Sequence, residues 1–324
     1  MITTLIRRAI QAGFVILAMT LIVFVGINVI GNPVDILINP DLNQAERAQV
    51  IAHLGLDKPL WQQYLSFLHG LTQGNFGNSF VYHKPALDVI IERFPATLEL
   101  ALCAMVIAIV VGIPLGLYAG LYPRRISSKI IMTGSIFGFS LPTFWVGLMM
   151  ILVFAVELGW LPSNGRGDTM MLLGVNWSFL TVNGLSHMLL PALNLALFKT
   201  SLILRLTRAG VQEVVMQDFV KFAHAKGLHE SRIILVHVLK NLMIPVVTII
   251  GLEFGSLIAY SVVTESIFGW PGMGKLIIDS INLLDRPVIV AYLMMMVILF
   301  VSLNFIIDIC YTLLDPRVRL EGKG

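Results

Sequence analysis

Long apolar runs alternate with shorter polar segments along this 324-residue chain. Six runs stand out, at about Ile10–Ile30, Thr97–Tyr118, Ile130–Val156, Met188–Leu206, Leu242–Val263 and Val288–Leu314. Each is near or above the ~20 apolar residues a helix needs to cross a bilayer. The pattern predicts an all-α, polytopic membrane protein with six transmembrane helices. The polar stretch Glu213–Pro245 differs from the other connections. Phe219, Phe222, Ala223 and Ala225 fall close together on one helical face, Gly227 interrupts the pattern, and Ile233, Ile234, Val236, His237 and Leu239 resume it. Two short amphipathic helices broken at a glycine are expected there. A helix pair held against a membrane but facing water is suited to docking a soluble partner.

Charge gives the spans a direction. Arg7, Arg8, Arg124, Arg125, Lys129, Arg205, Arg208, Lys221, Lys226, Arg232, Lys240, Arg317, Arg319 and Lys323 fall on one side, fourteen of the 22 basic residues. The opposite side has Arg47, Lys58, Lys84, Arg93, Arg166, Lys275 and Arg286, and Lys199 lies within the fourth span. The richer side is expected to be cytoplasmic, with both termini inside. The chain then divides into residues 1–31, the N-terminal segment and first span, and residues 32–95, an external insertion. Residues 96–314 form a core of five helices with a cytoplasmic loop at 209–241, and residues 315–324 form a cytoplasmic tail. Arg7 and Arg8 precede an apolar run that reaches Ile30 without a small-residue cleavage site, which reads as a retained anchor. Within the insertion, helical pieces are expected at Asn43–Leu54 and Pro59–Leu71. Trp61, Tyr64, Phe67 and Phe76 are expected to pack, or to rest at the headgroup level.

Composition agrees. The chain is 57% hydrophobic and 13% charged, about half the charge of an ordinary soluble domain. A net charge of +3 is too small to suggest nucleic acid. Cys103 and Cys310 sit inside apolar runs, and no spacing suggests a metal site or a disulfide framework.

Several polar or helix-distorting residues inside the spans are candidates for packing or chemistry. Gly112, Gly116 and Gly120 are four apart, a spacing that lets helices approach closely, within the chain or against a second subunit. Pro142 is expected to break the third span, and broken membrane helices line a cavity or are buried in protein. Lys199 lies nine residues before Arg208, roughly 13 Å up the helix, and Glu253 lies thirteen residues after Lys240, roughly 20 Å up. Pairing of the two across the fourth and fifth spans is one reading. The other has Lys199 snorkelling to the interface and Glu253 facing water alone. Asn304 and Asp308 share a face of the last span at i,i+4, and an intramembrane carboxylate is a functional candidate by default. Gly269 and Gly274-Lys275 have the spacing of a phosphate-binding loop. Leu276 stands where that motif needs Ser or Thr, and Pro271 removes a backbone donor, so nucleotide binding there is rejected.

The run Gln217-Asp218-Phe219-Val220-Lys221-Phe222-Ala223-His224-Ala225-Lys226-Gly227-Leu228, followed by His237-Val238-Leu239-Lys240-Asn241 and Pro245, resembles the cytoplasmic coupling loop of ABC-transporter permeases. The resemblance is to the branch that imports di- and oligopeptides, glutathione or nickel, and is nearest to the dipeptide type in the Leu54–Leu60 and Pro95–Cys103 runs. Lys221 stands where the generic motif has a glutamate and His224 where an arginine is usual. The Ser140–Trp145 and Glu157–Pro162 runs, Glu265-Ser266-Ile267-Phe268-Gly269-Trp270-Pro271-Gly272, and Leu314–Arg319 are also similar to that family, in order. The family usually has uncharged residues at the positions of Lys199 and Glu253.

The resemblance implies a pore-forming subunit of an ATP-driven, binding-protein-dependent importer working by alternating access. It implies that Asp218, Phe219, Lys221, Phe222, Ala223, His224, Ala225, Lys226 and Gly227 dock into an ATPase. Glu265, Trp270, Pro271 and Gly272 would form the external loop. The implied partners are a second homologous permease, two ABC ATPase subunits and an external substrate-binding protein. The location is the cell inner membrane. The chain would bind no cofactor and perform no catalysis, with ATP and Mg on the partner subunits. Two alternatives remain: nickel or glutathione as cargo of the same class, or a proton-coupled secondary transporter using Lys199, Glu253 and Asp308 as relays. A secondary transporter often shows internal repeats, and none is visible. An intramembrane enzyme fits poorly, since His187, His224 and His237 are scattered over different faces.

Overall fold

The structure, a computed structural model, describes residues 2–30 and 57–314, with side chains at 10–26, 57–243 and 245–307. The expected helix at Asn43–Leu54, the tail at 315–324 and the side chains of Asp308 and Cys310 lie outside that description. Among the described residues the elements are helical apart from one two-stranded hairpin: α1 (Ile2–Ile30), α2 (Leu60–Thr72), α3 (Ala86–Leu121), α4 (Ile126–Ser140), α5 (Thr143–Met150), β1 (Met170–Leu172), β2 (Val175–Trp177), α6 (Val182–Val215), α7 (Asp218–Ala225), α8 (Glu230–Arg232), α9 (Leu239–Ile267), α10 (Met273–Asn282) and α11 (Arg286–Leu314). Wider π-type turns extend α5 through Ile151–Glu157 and join α8 to α9 through Ile233–Val238.

Among the described residues, four helices carry segments long and apolar enough to span a membrane: Ala86–Leu121, Val182–Val215, Pro245–Ile267 and Arg286–Ile307. The apolar part of α1, Ile10–Gly26, is shorter. The third expected span is a bent pair, Ile126–Ser140 and Thr143–Glu157, at 104°. Its cause is local. Proline disfavours the helical region for the residue before it, and Leu141 and Pro142 both take extended backbone, with ψ of 136° and 129°. Pro95, Pro114, Pro191 and Pro245, by contrast, lie inside continuous helices.

The chain forms two compact units. The first comprises residues 1–92 and 279–302. Val23 of α1 packs with Val290 and Met294 of α11, and Phe67, Leu71 and Phe76 close over them. Thr20 Oγ1 lies 2.8 Å from the Tyr64 hydroxyl, and the Phe24 ring lies against Tyr64 and Phe67. Three of the four aromatics in the insertion therefore pack, while Trp61 is exposed. Buried Asp285 accepts from Ser79 Oγ and from the amides of Phe80 and Val81, which closes the turn between α2 and α3.

The second unit comprises residues 93–278 and 303–324, with α6 at its centre. α4, α5 and α9 pack on α6, and α3 lays its glycines against it. A Cβ on Gly112, Gly116 or Gly120 would meet Ile203, Thr207 or Val211 of α6 at 3.0, 2.7 and 2.7 Å. The glycine strip thus serves packing inside the chain. α6 runs past the expected end at Leu206 to Val215, so the start of the 209–241 loop is helix. The second of the two expected amphipathic helices is not separate either. Its apolar residues continue through the π-type turn into α9 without a break, so only α7 stands as a short helix of its own.

Candidate functional site

Three places in the second unit hold the residues singled out from sequence. The first is α7. Glycine at 227 ends it in the left-handed region at φ +70°, with Leu228 N donating to Ala223 O. Val220 and Ala223 turn inward, against Val211, Ile233, Val238, Leu242 and Val246. Phe219, Lys221, Phe222, His224, Ala225, Lys226 and Gly227 are exposed, as is Asp218. Lys221 Nζ donates to Asp218 Oδ1 at 2.9 Å, and that hydrogen bond and charge hold the Asp218 carboxyl below its ordinary value. The Lys226 ammonium lies 4.6 Å over the Phe222 ring, and His224 Nε2 lies 3.3 Å from Glu230 Oε1 across the break. The outcome is an aromatic and basic surface on a short helix whose inner side is fixed to the ends of α6 and α9.

The second place is the ion pair between Lys199 of α6 and Glu253 of α9. Lys199 Nζ donates to Glu253 Oε2 and, at 2.7 Å, to Ser256 Oγ. Ser256 Oγ itself donates to Glu253 at 3.0 Å. The Lys199 ammonium is also 5.4 Å from the Phe198 ring and 5.7 Å from the Tyr260 ring. Lys199 is therefore held inside the unit and does not snorkel. Asn304 of α11 is exposed. An uncompensated charge within a bilayer costs about 3 kcal/mol, so Lys199→Glu or Glu253→Lys alone places two like charges together and should nearly abolish transport. The double exchange restores the pair and should recover more activity than either single variant in an uptake assay. A double variant no better than the singles would show that the pairing does not support transport.

The third place is the end of α9 and the turn into α10; Glu265, expected in a loop, lies within the helix Leu239–Ile267. Glu265 is fully buried. Its Oε1 accepts from Thr97 Oγ1 at 2.7 Å and Ser261 Oγ at 3.0 Å, and its Oε2 from the amides of Gly274 at 2.7 Å and Lys275 at 3.0 Å. Those amides are the open N-terminus of α10, where a fixed anion is favoured. The donors a phosphate would need are thus already taken by Glu265. Trp270 is buried, and its indole donates to Ala96 O at 2.8 Å. Gly272 is buried because a Cβ there would lie 2.4 Å from Glu265 Oε2, and Pro271 is half-buried beside it. Arg166 approaches the Trp270 ring at 5.9 Å while donating to Glu99 Oε1 at 2.7 Å. Ser178 donates twice more to Glu99. Thr97, Glu99, Arg166 and Ser178 were not among the expected site residues. The one signal available was an acid, Glu99, inside the apolar run Thr97–Tyr118.

Apolar helices pack around α6, α7 presents an exposed aromatic and basic face, and a polar knot sits at the opposite end of α9. Residues 112–320 match the binding-protein-dependent transport system inner membrane component family, and residues 1–101 match its N-terminal part. The chain belongs to this family and is the permease component of an ABC importer, located in the inner membrane.

Its relatives include the di/tripeptide transport system permease protein DppB of Pseudomonas aeruginosa, 37% identical over 93% of this chain and 94% of that one. The oligopeptide transport system permease protein AppB of Bacillus subtilis is 37% identical over 97% and 98%. The glutathione transport system permease protein GsiC of Escherichia coli is 34% identical over 99% and 100%. Among solved structures, the methionine ABC transporter MetNI in an inward-facing form shares the fold, with a TM-score of 0.57 at 16% identity over 70% of this chain and 96% of that one.

Proposed function

We propose that this chain forms one half of the pore of an ATP-driven importer of short peptides. Support for the cargo comes from the peptide permeases DppB and AppB, similar over nearly the whole length. In this reading six spans cross the membrane, counting α1 and the bent pair α4–α5 as one each, with both termini cytoplasmic. Residues 1–31 supply the first span, 32–95 lie outside, 96–314 form the core, and 315–324 are the tail. A second homologous permease completes the pore, two ATPases bind ATP and Mg, and an external binding protein delivers cargo. The chain itself binds no nucleotide. ATP-driven closure of the ATPases moves α7, and because Val220 and Ala223 tie α7 to the ends of α6 and α9, that motion reaches the spans. Alternating access needs contacts that differ between two states, and α7 supplies a rigid lever for them.

The exposed surface of α7 is the observation that carries this reading, and it defines the test. The tagged chain is purified from its host in mild detergent and the co-purifying chains are identified by mass spectrometry. A second permease and P-loop ATPase chains are expected. Exchange of both Phe219 and Phe222 for glutamate should remove the ATPases and leave the second permease, because neither side chain belongs to the buried side of α7. Gly227→Ala should weaken ATPase recovery more mildly, since forcing a side chain into the left-handed region costs about 1–2 kcal/mol. A lone chain free of any ATPase, with proton-driven uptake, would overturn the reading in favour of a secondary transporter.

A further inference from the structure

The Lys199–Glu253 pair is more than a brace between α6 and α9. Two helices can be braced by apolar side chains without the cost of burying charge, and Val211 of α6 already packs with Leu242 and Val246 of α9. The two partners are also unequal. The Lys199 side chain is 4% exposed and the Glu253 side chain 27%. Lys199, Ser256 and their hydrogen bonds all converge on Oε2 of Glu253. Among the described residues, no hydrogen bond reaches Oε1. A carboxylate oxygen left bare against lipid would be costly, so this edge of α9 meets water or a polar ligand. Glu253, Ser256 and Tyr260 follow one another at i, i+3 and i+7, on one face of α9. Tyr260 on that face is 69% exposed.

We infer that Glu253 Oε1 and the neighbouring Tyr260 ring form a contact for the free ammonium terminus of a passing peptide. This rests on the reading of the chain as a peptide importer. An ammonium group satisfies the open carboxylate oxygen and is attracted to an aromatic face within about 6 Å. Lys199 acts as a positioning residue: it holds the Glu253 carboxylate turned, with Oε2 occupied and Oε1 outward. The Lys199 ammonium is not open to an anionic cargo group, because it is buried and spent on Glu253 and Ser256. The contact is single and partly exposed, which suits a passage site that must release what it binds.

The test uses the intact assembly in detergent, without its binding protein, and saturation-transfer NMR with the dipeptide Ala-Phe and its N-acetyl form. Ala-Phe should receive saturation from the wild-type assembly and the acetylated peptide should not. Glu253→Gln should weaken the Ala-Phe signal at least about tenfold, and Glu253→Asp should restore part of it. Equal signals from both peptides, or an unchanged Glu253→Gln assembly, would overturn the inference. So would loss of the second permease from Glu253→Gln, which would make the carboxylate a subunit contact. ATP-driven uptake of Ala-Phe by wild-type proteoliposomes, with the binding protein present, is measured in parallel. Uptake with unchanged Glu253→Gln binding sinks this inference alone, whereas no uptake sinks the peptide reading and this contact with it.

Discussion

Gly116→Leu is expected to leave almost no assembled transporter in the membrane. Gly116 sits where α3 comes closest to α6: a Cβ there would lie 2.6 Å from the carbonyl oxygen of Leu204 and 2.7 Å from Thr207 Cβ. The first of these is backbone and cannot rotate away. One turn to either side, Gly112 and Gly120 face Thr200 O and Arg208 O, each at 3.1 Å. The strip therefore has no slack in either direction, and a larger residue must separate the two helices. Overpacking costs about 1–3 kcal/mol per modest insertion, so Gly116→Ala should lower the thermal midpoint of the purified assembly measurably. Leucine adds three further carbons at the same point and loses the contacts of both helices over several turns. Gly13→Leu is the control, because nothing lies within 4 Å of a Cβ there. The readouts are the amount of full-length chain in membranes and the melting midpoint in detergent. A Gly116→Leu assembly as abundant and stable as wild type would mean that α3 and α6 do not meet in this way.

Much of this arrangement is legible in the chain because its physics is local. The bend at Pro142 follows from the restriction proline places on Leu141, and the end of α7 from a glycine, which adopts φ +70° without a Cβ clash. The four-residue glycine spacing predicts a close helix contact, but not the partner, since within-chain and between-chain contacts look alike in sequence. Helix ends were less legible: α3 begins at Ala86, before the expected Thr97, and two further ends differ for one reason. Arg205 and Arg208 read as the end of a span, and the amphipathic Ile233–Leu239 run as a separate helix. Polarity along a chain does not mark where backbone hydrogen bonding stops, and both helices continue past the polar residues. Lys199 and Glu253 were visible as two opposite charges in apolar surroundings, although depth counted along each helix put them about 7 Å apart. The buried acids were hidden. Glu99 meets Arg166 across 67 residues and Asp285 meets Ser79 across 206. Contacts at such separation leave no periodic trace.

The knot around Glu265 shows why such an acid is tolerated and what its loss should do. The carboxylate is out of water and accepts four hydrogen bonds, two from hydroxyls of α3 and α9 and two from the first amides of α10. Glu265→Leu keeps bulk and apolar character but leaves those donors without an acceptor. At about 1–3 kcal/mol for each buried group left unsatisfied, even two such losses approach the whole stability of an ordinary domain. Glu265→Gln should be milder, since its oxygen can still accept while its amide hydrogens oppose donors. Gly272→Ala attacks the same knot from the other side, with a Cβ 2.4 Å from Glu265 Oε2 and 2.5 Å from Thr97 Oγ1. The expected order of loss is leucine, then alanine at 272, then glutamine, read as the melting midpoint of the assembly. Amide exchange over residues 268–276 should accelerate in the same order, because the N-terminus of α10 opens first. Lys199→Met provides the contrast: it removes an ion pair elsewhere in the unit and should leave exchange at 268–276 unchanged. A Glu265→Leu assembly with wild-type exchange there would mean that α10 is held by something other than this carboxylate.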